Sequence, residues 1–345
     1  MNPSKKVSVH DVAREAGVSI GSVSRVLNGG PYTSADLVAR VTAAVRKLGY
    51  QPDAKAQSLR RGSSRTIGCL VTDIANPLYA ACVSALETRL AADGYMMLLA
   101  CSQYDAGREV ELLKLFEARG MDGLVVATLS ESDGPTLQAL RALRMPAVVL
   151  DRELDLKQDF VLVDHRAGVV NAVQYLASLG HRRIALFTPG LDLRPGRERA
   201  AGYREAHKAL GLKVDEQLVR GFSNQIHTSY DEMSQLLRLK DRPTAVIALG
   251  NRILSGALRA IHEAGLTMGQ DMSVVAIGSD SVNEFAFPPA TLIRFDVEAF
   301  GKVAAEVLLE RLRHPELPPR QVTLPTQLVV GASCGPRPRT GATSG

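Results

Sequence analysis

Residues 8–28 read SVHDVAREAGVSIGSVSRVLN. The stretch predicts two short helices joined by a tight turn. Ser8 followed three residues on by Asp11 is a capping-box start, in which a hydroxyl and a carboxylate each accept a backbone N–H that the helix leaves free. Val9, Val12, Ala13 and Ala16 recur at i, i+3, i+4 and i+7 and form one apolar face. Gly17 stands where the helix must stop, because glycine takes positive φ without strain. Ser19 is placed to cap a second helix, whose Val23, Val26 and Leu27 face the first. Two helices this short bury little surface alone, so a third is expected. Ser34 starts it, Leu37, Val38, Val41, Val45 and Leu48 share a face, and Gly49 ends it. A trihelical unit containing a helix-turn-helix reads as a DNA-reading module.

Charge agrees with that reading. The chain of 345 residues carries a formal net charge of +5. Residues 1–65 hold 11 Lys and Arg against 4 Asp and Glu, whereas the remainder is slightly acidic. Positive charge concentrated on capped, amphipathic helices suits a phosphate-binding surface. With 46% hydrophobic residues the chain is long enough for two or three cored domains. No apolar run approaches the ~20 residues of a membrane span. The opening MNPSKKVSVH lacks the apolar core of a secretory leader, so a cytoplasmic, nucleoid-associated protein without membrane partners is expected. Cys69, Cys82, Cys101 and Cys334 show no ligand spacing and are expected to be free thiols, with no metal and no cofactor.

Past the third helix, Pro52 forbids a continuous helix, and Asp53 can cap a short segment, AKAQSLR, with Ala56 and Leu59 on one side. RRGSSR then reads as a basic, flexible linker. From Ile67 onward, apolar strand runs such as TIGCLV, GLVVAT and SVVAIG alternate with helical segments. Strands apolar throughout and separated by helices imply parallel sheets covered on both faces. The fold class is therefore α/β: an all-α headpiece followed by two Rossmann-like lobes, with ligands expected in the cleft outside the carboxyl ends of the strands.

The motif DVAREAGVS, then SVSRVLN, then GYQPDAKAQSL, resembles the headpiece and hinge of the lac repressor (LacI/GalR) family, and the likeness runs over residues 7–332. The resemblance implies a headpiece at 1–50 and a hinge helix and linker at 51–65. It implies an effector-binding and dimerisation domain at 66–332, of the periplasmic-binding-protein type. Lobe one is expected to comprise residues 66–164 and 296–320, lobe two 165–295 and 321–332, with a disordered tail at 333–345. The implied function is a transcriptional regulator, a homodimeric repressor of a pseudo-palindromic operator, controlled by a sugar-like effector between the lobes. By the same resemblance Ile20, Gly21 and Arg25 take base-reading positions. Ser8, Ser19, Ser24, Asn28, Ser34 and Tyr50 suit phosphate contacts. In the hinge, Leu59, with Ala56 on the same side, wedges into the minor groove. In the cleft the resemblance points to Asp73, Tyr79, Asp151, Arg199, Phe222, Asn251 and Asp280.

The chain departs from the family pattern at several places. Leu37 and Val38 replace Thr-Arg, Asp53 replaces Asn, Gly250-Asn251 replaces Asn-Asp, and Gly278 stands where an acidic residue is usual. Arg152, Arg197, Arg199, Arg252 and Arg294 fall at expected cleft edges, which favours a sugar acid or phosphorylated sugar over a neutral sugar. The main hydrolase, nucleotide-binding and zinc-protease motifs are absent, so no catalytic residue is assigned and an enzyme is disfavoured. A solute-binding protein without a DNA function is opposed by the basic headpiece.

Overall fold

The computed structural model describes residues 7–27, 33–51, 62–222, 226–278 and 289–338, in two compact units that divide between Ser64 and Arg65. The expected Asn28, Ala56, Leu59 and Asp280 lie outside the described residues, as does most of the hinge segment.

The first unit is the expected trihelical headpiece. Helix α1 (Val9–Ala16) opens on the capping box: the Asp11 N–H donates to Ser8 Oγ, and the Ser8 N–H donates to Asp11 Oδ2 at 2.9 Å. Gly17 ends α1 at φ +63°. Helix α2 (Ile20–Leu27) is capped by Ser19, whose Oγ accepts the Ser22 N–H at 3.1 Å. Helix α3 (Ala35–Leu48) is capped by Ser34 and closed by Gly49. Val12, Ala13, Ala16, Val23, Val41 and Ala44 form the core. Val38, expected on the buried face of α3, is 38% exposed. Arg40 donates to the carbonyls of Ala16 and Gly17, at 2.8 and 3.0 Å, and ties the turn to α3.

The second unit contains two six-stranded sheets. Its elements are β1 (Thr66–Val71), α4 (Pro77–Ala92), β2 (Met96–Cys101), α5 (Ala106–Ala118), β3 (Gly123–Val126), α6 (Pro135–Arg141), β4 (Ala147–Leu150) and β5 (Asp159–Val163). The chain then crosses to α7 (His165–Ser178), β6 (Ile184–Pro189), α8 (Arg194–Ala209), β7 (Val219–Phe222), α9 (Ile226–Leu237), β8 (Ala245–Ala248), α10 (Asn251–Glu263), β9 (Ser273–Gly278) and β10 (Thr291–Arg294). It returns through α11 (Val297–Arg313) and ends with β11 (Gln321–Leu324) and β12 (Gln327–Val329). Sheet one has the order β11-β5-β4-β3-β1-β2 and is parallel throughout; sheet two is β12-β10-β9-β8-β6-β7, with only β12 antiparallel. The inner strands β3, β4, β8 and β9 are buried at every residue, as strands covered on both faces must be.

Four expectations need correction. The stretch QVTLPTQLVV is two strands: β11 pairs with β5 in sheet one, Gln321 opposite Phe160, and only β12 joins sheet two. Lobe one therefore runs to Leu324. Pro325, which has no N–H for a ladder, separates the strands where the chain changes lobe. Strands β7 and β10 lie where no strand was expected. Both are four residues long, and VRGF carries a charge and a glycine, too little pattern to read. Helix α8 begins at Arg194, so Arg199 lies in its second turn and not its first. The tail expected from residue 333 is packed as far as 337. The Val274 N–H donates to the Ser333 carbonyl at 2.9 Å, His181 Nε2 to that of Gly335 at 3.0 Å, and the Arg337 N–H to that of Leu179 at 2.9 Å.

Helix α11 packs along α4, and a methyl group on Gly301 would overlap the Cys82 carbonyl oxygen. Gly301→Ala should therefore force the helices apart and destabilise the unit by ~1–3 kcal/mol. Urea denaturation of the two proteins measures the difference; an unchanged midpoint would contradict the close approach.

Candidate functional site

Strands that all run the same way deliver their following loops to one edge of each sheet. Between the two sheets those loops enclose a cavity of about 770 Å³. Lobe one contributes Tyr79 on the first turn of α4, Leu129 and Ser130 after β3, and Asp151 and Arg152 after β4. Lobe two contributes Arg199 on α8, Asn251 at the start of α10, and Phe222 at the end of β7. Phe295 lines it where the chain crosses back toward α11.

Asp151 is the centre of the polar floor. It is a non-glycine residue at φ +51°, a strained backbone held by what surrounds it. Its Oδ2 accepts from His165 Nε2 at 2.7 Å, and its Oδ1 from Arg194 Nη1 at 3.0 Å and the Val163 N–H at 3.3 Å. Burial works against its charge, but His165, Arg152 and Arg194 outweigh it and hold the carboxyl well below the usual range. With Nε2–H given to Asp151, His165 presents Nδ1 as an acceptor, and Arg199 Nε and Nη2 approach it at 3.4 Å. Burial and the Arg199 charge lower the His165 pKa against the pull of Asp151, so the imidazole stays neutral.

Arg152 and Arg199 are each 6% exposed. Arg152 Nε donates to the Thr128 carbonyl at 2.7 Å and its Nη1 to the Asp151 carbonyl at 2.9 Å. The loop that presents the Thr128 carbonyl is held by Glu109, which is fully buried on α5 and accepts from Thr128 Oγ1, the Leu129 N–H and Thr136 Oγ1. Burial raises the Glu109 pKa.

The expected cleft residues separate into groups. Tyr79, Asp151, Arg199, Phe222 and Asn251 meet at the cavity. Phe222 is 2% exposed and packs on Phe187, 5.0 Å between ring centroids, so most of its ring serves the core. Asp73 is not a lining residue: its Oδ2 pairs with Arg252 across the lobes at 2.7 Å. Arg197 also lies outside the lining and bridges Glu131 and Glu153, at 2.7 and 3.0 Å, while Arg294 donates to Gln327 Oε1. Sequence reasoning gave no role to His165, Arg194 or Glu109. Their partners come from 14 to 43 residues away, beyond the reach of any local pattern.

In the headpiece, Ser19, Ile20, Gly21 and Arg25 are exposed on α2, whereas Val23 is fully buried against the other helices. Ser8 and Ser34 cap helices, and Tyr50 packs partly against the core. Ser24 is half-buried.

Residues 8–53 match the family described as bacterial regulatory proteins, lacI family, and residues 173–334 match a periplasmic binding protein-like domain. The ribose operon repressor of Escherichia coli (strain K12) is 32% identical over 319 residues, 92% of this chain and 96% of that protein. The chain belongs to the lacI family. Another relative is the repressor PurR of Pectobacterium carotovorum subsp. carotovorum (strain PC1), 34% identical over 312 residues, 88% of this chain and 90% of that one. Among solved structures, the lac repressor dimer bound to operator and the anti-inducer ONPF superposes with a TM-score of 0.84 at 27% identity, covering 96% and 100% of the two chains. A complex of the transcriptional regulator CelR with cellobiose gives 0.73 at 29% identity, covering 95% and 99%. The lacI-family members matched here are transcriptional regulators and not enzymes. Among the described residues no helix is long and apolar enough to cross a membrane, and no cluster of His, Cys, Asp and Glu could hold a metal.

Burial lowers the pKa of His165, His181 and His207, so each binds its proton less readily folded than unfolded. Their contribution to stability is complete above the unfolded value of ~6.5 and is lost as pH falls through it. The Tm should drop between pH ~7.5 and ~5.5, and His165→Asn should flatten that slope. Calorimetry at several pH values checks this; a Tm that rises on acidification would contradict the neutral histidines.

Proposed function

We propose that the protein is a sequence-specific repressor whose hold on operator DNA is set by a sugar-like molecule in the cleft. The observation that carries this reading is one chain with two prepared surfaces. One is a helix whose buried side fixes it in a headpiece while its other side stands free; the other is a polar-floored, aromatic-walled cavity between two lobes. A relative named for the ribose operon, and a neighbour holding cellobiose, support a small-molecule effector. The protein acts in the cytoplasm on the nucleoid. A ligand preferring the closed lobes shifts their population and, through the hinge, the spacing of two headpieces on the DNA. Of the expected DNA-contacting residues, Arg25 is best suited to sequence readout, because its fork matches guanine O6 and N7. Gly21 offers no side chain there, and Ile20, 39% exposed, suits a thymine methyl. Asn28, Ala56 and Leu59 keep their expected roles as part of this proposal.

Arg25→Ala should weaken specific binding by ~1–3 kcal/mol and leave binding to random DNA much less affected. Fluorescence anisotropy on both DNAs measures this, and equal losses would reassign Arg25 to a phosphate.

A pseudo-palindromic operator requires two copies of the headpiece. Strand β2 is an edge of sheet one and leaves Met96 68% and Leu98 45% exposed. A second copy of this chain is the occupant that the homodimer reading assigns to this apolar strip, and the dimeric lac repressor neighbour supports it. Leu98→Lys should shift the protein toward monomer in sedimentation and weaken operator binding in parallel. A variant that remains dimeric would move the interface elsewhere.

A further inference from the structure

Charges buried in a protein are normally paired. Most of the cleft obeys this rule: Asp151 is taken by His165 and Arg194, Asp73 by Arg252, and Glu131 and Glu153 by Arg197. Arg152 and Arg199 do not. Both line the cavity at 6% exposure, and among the described residues neither forms an ion pair with a carboxylate. Arg152 has carbonyl partners. Arg199 has only long contacts, at 3.4 Å to His165 Nδ1 and 3.5 Å to Thr188 Oγ1 and the Leu249 carbonyl. Asp192, also on the lining, is exposed.

We infer that the effector carries an anionic group, a carboxylate or a phosphate, clasped between Arg152 of lobe one and Arg199 of lobe two. The inference rests on the cleft being the effector site and adds the chemical class of its ligand. Among the described residues the floor sets Arg152, Arg194 and Arg199 against Asp151, and a neutral polyol would dry it with that excess of positive charge in place. An anion accepts from both Arg152 and Arg199, in a geometry that the guanidinium fork is built to match. Burial and the neighbouring Arg152 charge push the Arg199 pKa down to about 10 against the pull of Asp151. Tyr79, Phe222 and Phe295 supply apolar surface for the body of the ligand, and about 770 Å³ accommodates a monosaccharide bearing such a group. Because the two arginines come from different lobes, one anionic group touching both draws the lobes together. Closure is then driven by charge and falls with ionic strength.

Isothermal titration of the full-length protein tests this with matched pairs: glucose, gluconate and glucose 6-phosphate, and ribose against ribose 5-phosphate. The anionic member of a pair should bind about tenfold or more tightly than its neutral counterpart, and added salt should narrow the gap. Whether gluconate or the phosphates win separates the two sources of charge. Arg152→Gln and Arg199→Gln should each weaken the anionic member of a pair more than its neutral counterpart and so remove most of the advantage, and Arg199→Lys should restore part of it. Circular dichroism establishes that each variant is folded, and the wild-type comparison decides if one is not. A neutral sugar that binds as well as its acid or phosphate, and that changes operator affinity, overturns the anionic ligand and keeps the effector cleft. Absence of binding by every compound, with operator affinity unmoved, counts against both.

Discussion

The contact between Asp151 and His165 stands where the chain first passes from one lobe to the other, and both sides of the cleft are organised on it. Asp151 ends a strand of sheet one, and His165 begins the helix that leads into sheet two. The carboxylate accepts the imidazole proton on one oxygen and Arg194 on the other, and the neutral imidazole presents its second nitrogen toward Arg199. Each member therefore depends on the next for its protonation state or orientation. The left-handed backbone at Asp151 is tolerated because four groups fix it: the imidazole, the Arg194 guanidinium, the Val163 amide, and Arg152 on its carbonyl.

The rim differs from the floor in kind. Among the described residues, Arg252–Asp73 and Arg197–Glu131 each join an arginine of lobe two to a carboxylate of lobe one. Arg252 and Arg197 are about half exposed, and such pairs contribute only ~0–1 kcal/mol each. They join the two lobes without locking them. That suits a switch, since a ligand can shift such an equilibrium only by its own preference for one state.

The headpiece applies a related division within a single helix. Val23 gives α2 its anchor, while Ile20, Gly21 and Arg25 around it are exposed. Gly21, with no side chain, leaves one exposed position of α2 without a polar group, whereas Arg25 is exposed on the same helix.

The headpiece was legible in the sequence because its determinants are local. Caps such as Ser8 with Asp11, a turn glycine at 17 and a 3.6-residue apolar repeat all act within a few residues. The alternation of apolar strands and helices likewise fixed two parallel-sheet lobes, and strand ends gave Asp151. What the sequence could not state was decided by distance along the chain. Strand β11 went to sheet one because the exposed edge of β5 accepts it, 161 residues away from Gln321 to Phe160. Asp73 was turned from a ligand contact into a rim contact by Arg252, a partner 179 residues on. Five arginines were candidates for the cleft, and sequence weights them alike. Only packing showed that Arg197, Arg252 and Arg294 already have partners, while Arg152 and Arg199 are buried facing the cavity with no ion pair to a carboxylate among the described residues. Pattern determines which segments fold; charge compensation is settled only when residues far apart in the chain come within a few ångströms.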